Sequence, residues 1–318
     1  MAHAHITPSN IHLKWSKNLP PALTVPSGSE LTFELRDGFN NQITPATTQA
    51  DLPGLDSAQA DPAFGPVFVE GAEPGDVLRV DVLGLTPASY GWTAILPGFG
   101  LLCDEFPTGQ LKIWDLTTLN KGYAVFGKGI RVPTRPFLGV MGVAPPTDGE
   151  FATIPPYHWG GNIDCKHVTE GSSLYLPVQT AGALFSCGDG HAAQGDGEVC
   201  GTAIETPMTA RLRLTVEKAK PWVQSPHYLT APTSPQTPQR GQEYAAVGID
   251  ADPREAMRKS VRSAIDWLQG EKGLSREEAY MLCSVVADLK IVEAVDMPHY
   301  AVACAIPLSI FVGDGDEA

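Results

Sequence analysis

No stretch of this chain approaches the roughly 20 consecutive apolar residues that a membrane span requires. The longest candidate, Ala301 to Val312, is short and broken by Pro307. Basic residues are scarce, with 22 Lys and Arg against 36 Asp and Glu. The resulting formal charge of -14 makes the average surface repel phosphate backbones and anionic headgroups. Neither nucleic acid nor a membrane is therefore an expected partner. Cysteine is thin as well: Cys103, Cys165, Cys187, Cys200, Cys283 and Cys304 are scattered without a paired framework, which predicts reduced thiols and a cytoplasmic location. The opening MAHAHITPSN lacks the basic start and apolar run of a secretory signal and agrees with that expectation. HExxH, CxxC, P-loop and dinucleotide fingerprints are absent, so no single short motif announces the chemistry.

Apolar residues make up 43% of the 318 positions, enough for a sizeable core. Gly 32 and Pro 28 favour many turns between short strands over long helices. Leu31, Phe33 and Leu35 alternate with polar neighbours, as do Leu78, Val80 and Val82, then Leu174, Leu176 and Val178, and Leu212, Leu214 and Val216. Each set offers one apolar face at period two that must bury against another sheet. Asp37-Gly38, Pro74-Gly75-Asp76, Pro97-Gly98 and Gly127-Lys128-Gly129 punctuate the runs as turns. The expected fold is mainly β, a sandwich or barrel body with a smaller C-terminal α/β portion.

A Pro/Thr/Gln-rich segment, 222–242, reads as a connecting loop between a β-rich catalytic body, 1–221, and an α/β portion, 243–318. After it the period becomes helical. Asp252 is a candidate N-cap before Pro253, with Met257, Val261, Ala264 or Ile265, and Leu268 on one stripe. Gly270 and Gly273 are expected to make a turn, and Ser275 with Glu278 a capping box for a second helix carrying Ala279, Leu282, Cys283 and Val286. Strand character returns through Ile291, Val292 and Val295 and again from Tyr300 to Ile306. The terminal GDGDEA reads as a solvated tail.

The chemistry is expected between residues 155 and 205, where histidines and carboxylates gather beside glycines. Glycine lets loops bring polar groups to a shared point, but turn-making alone does not explain the histidines. Asp164 with His167, and Asp189 with His191, offer oxygen and imidazole donors of the kind that hold a divalent metal; residues 189 and 191 share a face in an extended segment. Glu198 and Asp196 are candidates for the general base. Cys165, flanked by Asp164 and Lys166, offers a different route as a thiolate nucleophile without metal. A pocket wall is sought among Trp92, Phe99, Phe106, Tyr157 and Trp159.

The blocks GPVFVEGAEPGDVLRVDV (65–82), GWTAILPGFGLL (91–102), PFLGVMGVAP (136–145), HWGGNIDCKH (158–167), LYLPVQTAGALFSCGDGHAAQGDGEVCGTAIE (174–205) and LSREEAYMLCSVVADLKIVEAVDMP (274–298) occur in this order. In them the chain resembles the acetamidase/formamidase family over nearly its whole length. The resemblance implies hydrolysis of short aliphatic amides, such as formamide or acetamide, to a carboxylic acid and ammonia. It also implies a β-rich body, a homo-oligomer and metal dependence, with zinc as the expected ion. The family's motif falls on Asn162, Asp164 and His167, and on Asp189, His191, Gln194, Asp196 and Glu198. Asp164, His167, Asp189 and His191 are the expected ligands, Glu198 or Asp196 the base, and Asn162, Gln194 and His158 the groups that bind the small amide. The alternatives are the Cys165 amidase and a non-catalytic protein that binds amides or metal.

Overall fold

The computed structural model describes residues 4–127, 130–232 and 241–311. Its centre is two sheets packed face to face. A nine-stranded sheet runs in the order Ala4–Ile6, Ser29–Leu35, Met208–Glu217, Val77–Pro87, Ser173–Pro177, His227–Leu229, Glu243–Asp250, Tyr300–Pro307 and Asp288–Glu293. A seven-stranded sheet is built around Phe185–His191, which pairs antiparallel with Phe137–Gly142 on one side and Ala63–Glu70 on the other. The alternation read from the sequence explains the packing. Leu31, Phe33, Leu78, Val80, Leu174, Leu176 and Leu212 point inward from the first sheet and meet Phe64, Val67, Leu138, Met141 and Phe185 of the second. Phe33 and Phe185 touch edge to face across the interface, with centroids 6.0 Å apart. Each such side chain removed from water is worth about 1.5–3 kcal/mol, which secures the sandwich and forbids a register slip that would expose the apolar face.

The C-terminal strands bury both faces. Ala245, Val247, Ala301 and Ala303 face the sandwich core, while Tyr244, Ala246, Cys304 and Ile306 face the helices. This is why Tyr300 to Ile306 reads as an almost unbroken apolar run. The first helix, α1, spans Pro253–Lys272; Asp252 caps it by accepting from the Arg254 and Glu255 amides at 2.8 and 3.0 Å. Gly270 departs from the expected turn: it lies inside α1, where an added Cβ would sit 2.4 Å from the Trp222 ring. Close packing, not chain reversal, is what requires glycine there. Gly273 alone makes the reversal, at φ 69°, and the second helix, α2, follows at Arg276–Val286.

The strands on either side of 222–242 belong to one sheet. Within that segment His227–Leu229 pairs with both Ser173–Pro177 and Glu243–Asp250, so backbone hydrogen bonds run continuously from the body into the C-terminal portion. Residues 233–240 of the loop, Lys128 and Gly129 of one expected turn, the Glu278 side chain of the capping box and the terminal GDGDEA lie outside the described residues. Among the described residues no helix is long and apolar enough to cross a membrane.

Candidate active site

The central strand Phe185–His191 begins apolar and ends in Gly188-Asp189-Gly190-His191. Asp189 has φ 54°, a left-handed conformation uncommon outside glycine, and its Oδ2 lies 3.0 Å from His191 Nε2. Gly139 of the neighbouring strand lies between the Leu138–Gly190 and Val140–Gly188 pairs. The lack of a side chain at 139 leaves room for Asp164, which turns inward at φ 43° after the strand Gly160–Asn162. His191 Nδ1 faces Asp164 Oδ1 at 3.6 Å, and its Nε2 faces Glu205 Oε2 at 3.1 Å and Glu198 Oε1 at 3.9 Å. Asp61 and Glu198 also have positive φ, 47° and 43°. Each such residue costs about 1–3 kcal/mol and persists only where the surroundings hold it. Four of them around one point mark a place the fold has been made to serve.

Two further acids arrive from the nine-stranded sheet. Glu293 ends the edge strand Asp288–Glu293; its Oε1 accepts from the backbone amides of Val295 and Asp296. Asn162 Nδ2 donates to Asp296 Oδ2 at 2.6 Å. Burial, reinforced by neighbouring carboxylates, holds Asp164, Glu198 and Asp296 well above the usual carboxylate range. Burial likewise pushes Glu205 up to about 8 and Glu293 to about 7. Burial alone would lower His191, but the Asp189 and Glu205 carboxylates outweigh it and raise the imidazole well above its ordinary value. For Asp189 burial opposes ionisation, and the adjacent His191 wins and lowers it.

Asp164 Oδ1 and Oδ2, Asp189 Oδ1, His191 Nδ1, Glu198 Oε1 and Glu293 Oε2 are buried without a hydrogen-bond partner. Such atoms cost about 1–3 kcal/mol each when left unpaired, more when charged. Asp164, His191 and Glu198 bring donor atoms within 4.8 Å of one another, and so do Asp189, His191 and Glu205. Buried oxygen and imidazole donors at this spacing fit a divalent cation by their chemistry. Above them is a cavity of about 220 Å³, walled by Phe39, Trp92, Leu96, Pro97, Phe99 and Ile154, with Asn162, Asp189, Glu198, Glu205 and Asp296 on its polar side. Roomier grooves lie elsewhere, two near 530 Å³ and one near 450 Å³; among the described residues the one along α1 and α2, lined by Met257, Val261, Ile265 and Tyr280, has no comparable cluster.

Asn162, Asp164, Asp189, His191 and Glu198 are thus brought together as their sequence positions suggested. Four other expected site residues are not. His167 pairs its Nε2 with Asp196 Oδ1 at 3.0 Å, and Asp196 also holds Lys166 Nζ at 3.0 Å. The reversal at Asp164 turns that carboxylate inward and leaves His167 stacked on Tyr228 instead of beside His191. Gln194 donates its Nε2 to the Asp164 carbonyl at 2.9 Å, supporting the loop, and does not line the cavity. His158 is exposed in the second groove, with Lys259 and His299. Cys165 is fully buried in the sandwich core, where burial pushes its thiol up to about 12; that is the setting of a packing residue and not of a nucleophile. Of the expected wall, Trp92 and Phe99 line the cavity, Phe106 is 48% exposed, and Tyr157 stacks on Trp159 next to the second groove.

Asp37, Asp61, Glu205, Glu293 and Asp296 escaped the sequence reading. Asp37 is not merely a turn residue: it is buried and accepts from the Trp92 indole at 3.0 Å and from the Phe39 and Asn41 amides. The signal was there in Ile291-Val292-Glu293-Ala294-Val295-Asp296, where acids interrupt an apolar run that core strands carry only when the charge has a partner.

The acetamidase/formamidase family model matches residues 2–149 and 147–313. A formamidase of Methylophilus methylotrophus is 28% identical over 375 residues, covering 96% of this chain and 90% of that protein. An acetamidase of Mycolicibacterium smegmatis is 28% identical over 350 residues, covering 85% and 84%. The crystal structure of an acetamidase from Bacillus halodurans superposes with a TM-score of 0.86 at 29% identity, over 96% of this chain and 98% of that one. With a family match that spans both sheets and every acid of the cluster, the chain belongs to the acetamidase/formamidase family.

Proposed function

We propose that this cavity hydrolyses short linear amides, R–CO–NH2 with water giving R–COOH and ammonia, with a divalent ion held by Asp189, His191 and Glu205. The reading rests on one observation above all: a small apolar chamber whose inner end is a cluster of buried, unpartnered carboxylate oxygens around His191, in a chain of this family. The chemistry a divalent ion supplies in such a setting is polarisation of a carbonyl oxygen and a lowered pKa for water. Zinc is the ion we expect from the mixture of imidazole and carboxylate donors.

The chain's own residues do the rest. The apolar wall takes the acyl group and keeps bulk water out. Asn162 has its Nδ2 committed to Asp296, so its unpartnered Oδ1 is the acceptor for the substrate amide N–H. Glu198 lines the same cavity with Oε1 free. It accepts the proton of the attacking water and delivers it to the departing nitrogen, which leaves as ammonia and not as an amide anion. Ammonia release from formamide and acetamide, measured before chelation, after it and after return of single metals, tests the whole reading. Recovery on return of a metal supports it; full activity after complete metal removal overturns the metal role. Glu198→Gln is expected to keep its fold and lower turnover by about two orders of magnitude, the usual scale for losing an acid/base group.

A further inference from the structure

Asp37 is a fully buried carboxylate that the reaction above does not use. Its Oδ1 accepts from the Phe39 and Asn41 amides at 3.0 and 2.8 Å, which is all that a turn at Asp37-Gly38 asks of it. An asparagine would serve those two donors without burying a charge. What only a carboxylate adds is a second acceptor, and Oδ2 takes the Trp92 indole N–H at 3.0 Å. Among the described residues no basic side chain pairs with Asp37, so the acid is kept where an unpaired charge is rarely tolerated.

Trp92 and Phe39 both wall the chamber, and their rings meet edge to face with centroids 5.8 Å apart. One carboxylate thus holds the first by its indole and the second by its backbone. The reacting end is tied to the same wall. Trp92 and Glu205 exchange backbone hydrogen bonds at 2.9 and 2.8 Å, and a Cβ on Gly38 would lie 2.6 Å from Asp189 Oδ1 and 2.9 Å from Glu205 Oε2. The gap between the acids and the aromatic wall is therefore set twice, through the Trp92 backbone and through the Asp37-Gly38 turn. An acyl group too long for that gap has to pull the indole N–H from Oδ2 and leave both groups unpaired in a buried wall.

We propose that Asp37 is a positioning residue that fixes the depth of the acyl chamber through Trp92 and so makes the site select short acyl groups over longer ones. The proposal rests on the amidase reading above and adds to it the residue that sets substrate size.

Asp37→Asn isolates the contact. Its carbonyl oxygen stays with the Phe39 and Asn41 amides, and its NH2 faces the indole N–H, donor against donor. The ratio of kcat/KM for butyramide to that for acetamide is expected to rise about 10-fold, the scale of one methylene accommodated in an apolar pocket. The change should fall mainly in KM, because a wall contact is made equally in the bound substrate and in the transition state. In a Trp92→Phe background, which has no indole N–H to repel, Asp37→Asn is expected to shift the ratio by less than about twofold. An unchanged ratio in the folded single variant, or the full shift in the Trp92→Phe background, overturns the proposal. A fall confined to kcat also overturns it and moves the effect to the acids behind Gly38. The Trp92 indole N–H, assigned by its loss in Trp92→Phe, is followed by NMR hydrogen exchange on the same samples. Slow exchange in the wild-type protein and fast exchange in Asp37→Asn are expected; slow exchange that survives the substitution overturns the positioning role. Absence of ammonia from every amide refutes the amidase reading and with it the selection of acyl groups, while the exchange rates still decide whether Asp37 holds Trp92. If Asp37→Asn fails to fold, Asp37→Ser, which removes Oδ2 without setting donor against donor, carries the same two readouts.

Discussion

Gly139 makes room for Asp189: a Cβ at 139 would lie 2.2 Å from Asp189 Oδ2 and 2.5 Å from Asp164 Oδ1. The backbone of one strand thus forms the back of the cluster on the next, and the glycine is required by the carboxylates and not by a turn. Gly139→Ala is expected to fold, because the clash is with side-chain oxygens, but to displace the cluster. Turnover should fall about 10²-fold, the cost of misplacing reacting groups by an ångström. A folded variant, checked by circular dichroism, with normal ammonia release would refute this reading of the glycine.

Phe99 lies against Gly201, where an added Cβ would sit 2.4 Å from the ring, and closes one side of the cavity. Phe99→Ala opens that side. The ratio of kcat/KM for butyramide to that for acetamide is expected to rise by about 10-fold or more, since each methylene accommodated is worth about 1–3 kcal/mol. An unchanged ratio would move the acyl-binding surface elsewhere in the chamber.

Cys165 should be dispensable for chemistry. Cys165→Ala is expected to cost about 1 kcal/mol in stability, as ordinary core substitutions do, and to leave kcat within about twofold. The pair of measurements is a denaturant melt and an ammonia assay. A collapse of kcat with unchanged stability would return the thiol to the mechanism.

His227 supplies a pH dependence remote from the metal cluster. It is fully buried, with Nδ1 2.8 Å from the Tyr244 hydroxyl, and burial pushes its pKa down to about 3. In the unfolded chain the imidazole titrates near 6.5. Between these values the unfolded state holds a proton that the folded state refuses. The contribution to stability is therefore intact above the unfolded value and declines as pH falls towards 3, by up to about 1.4 kcal/mol per pH unit. A His227→Phe variant should show a shallower loss of Tm between pH 6.5 and pH 4 than the wild-type protein. Equal slopes would show that another group carries the acid sensitivity.

Much of this was legible in the chain itself. The alternation at Leu31, Phe33 and Leu35 and at Leu212 and Leu214 determined which faces are buried, because a side chain in a strand has only two directions to point. Asp252 and Pro253 determined where α1 starts, since its first amides need an acceptor and proline lacks one of them. Asp189, His191 and Glu198 stood out because each adjoins a glycine, and Asp164 because it lies in the same histidine- and acid-bearing stretch. These are local properties, carried by a few neighbouring residues.

Tertiary structure alone decided which acids meet. Asn162 and Asp296 are 134 residues apart and touch because the C-terminal strands extend the sheet of the body. Alternation cannot foresee that pairing, and donor type alone made His167 an expected ligand where the fold pairs it with Asp196 instead. Segment chemistry sets the strands and caps one at a time. The site depends on long-range register and on a few residues held in unfavourable φ, and those are enforced only by the packed whole.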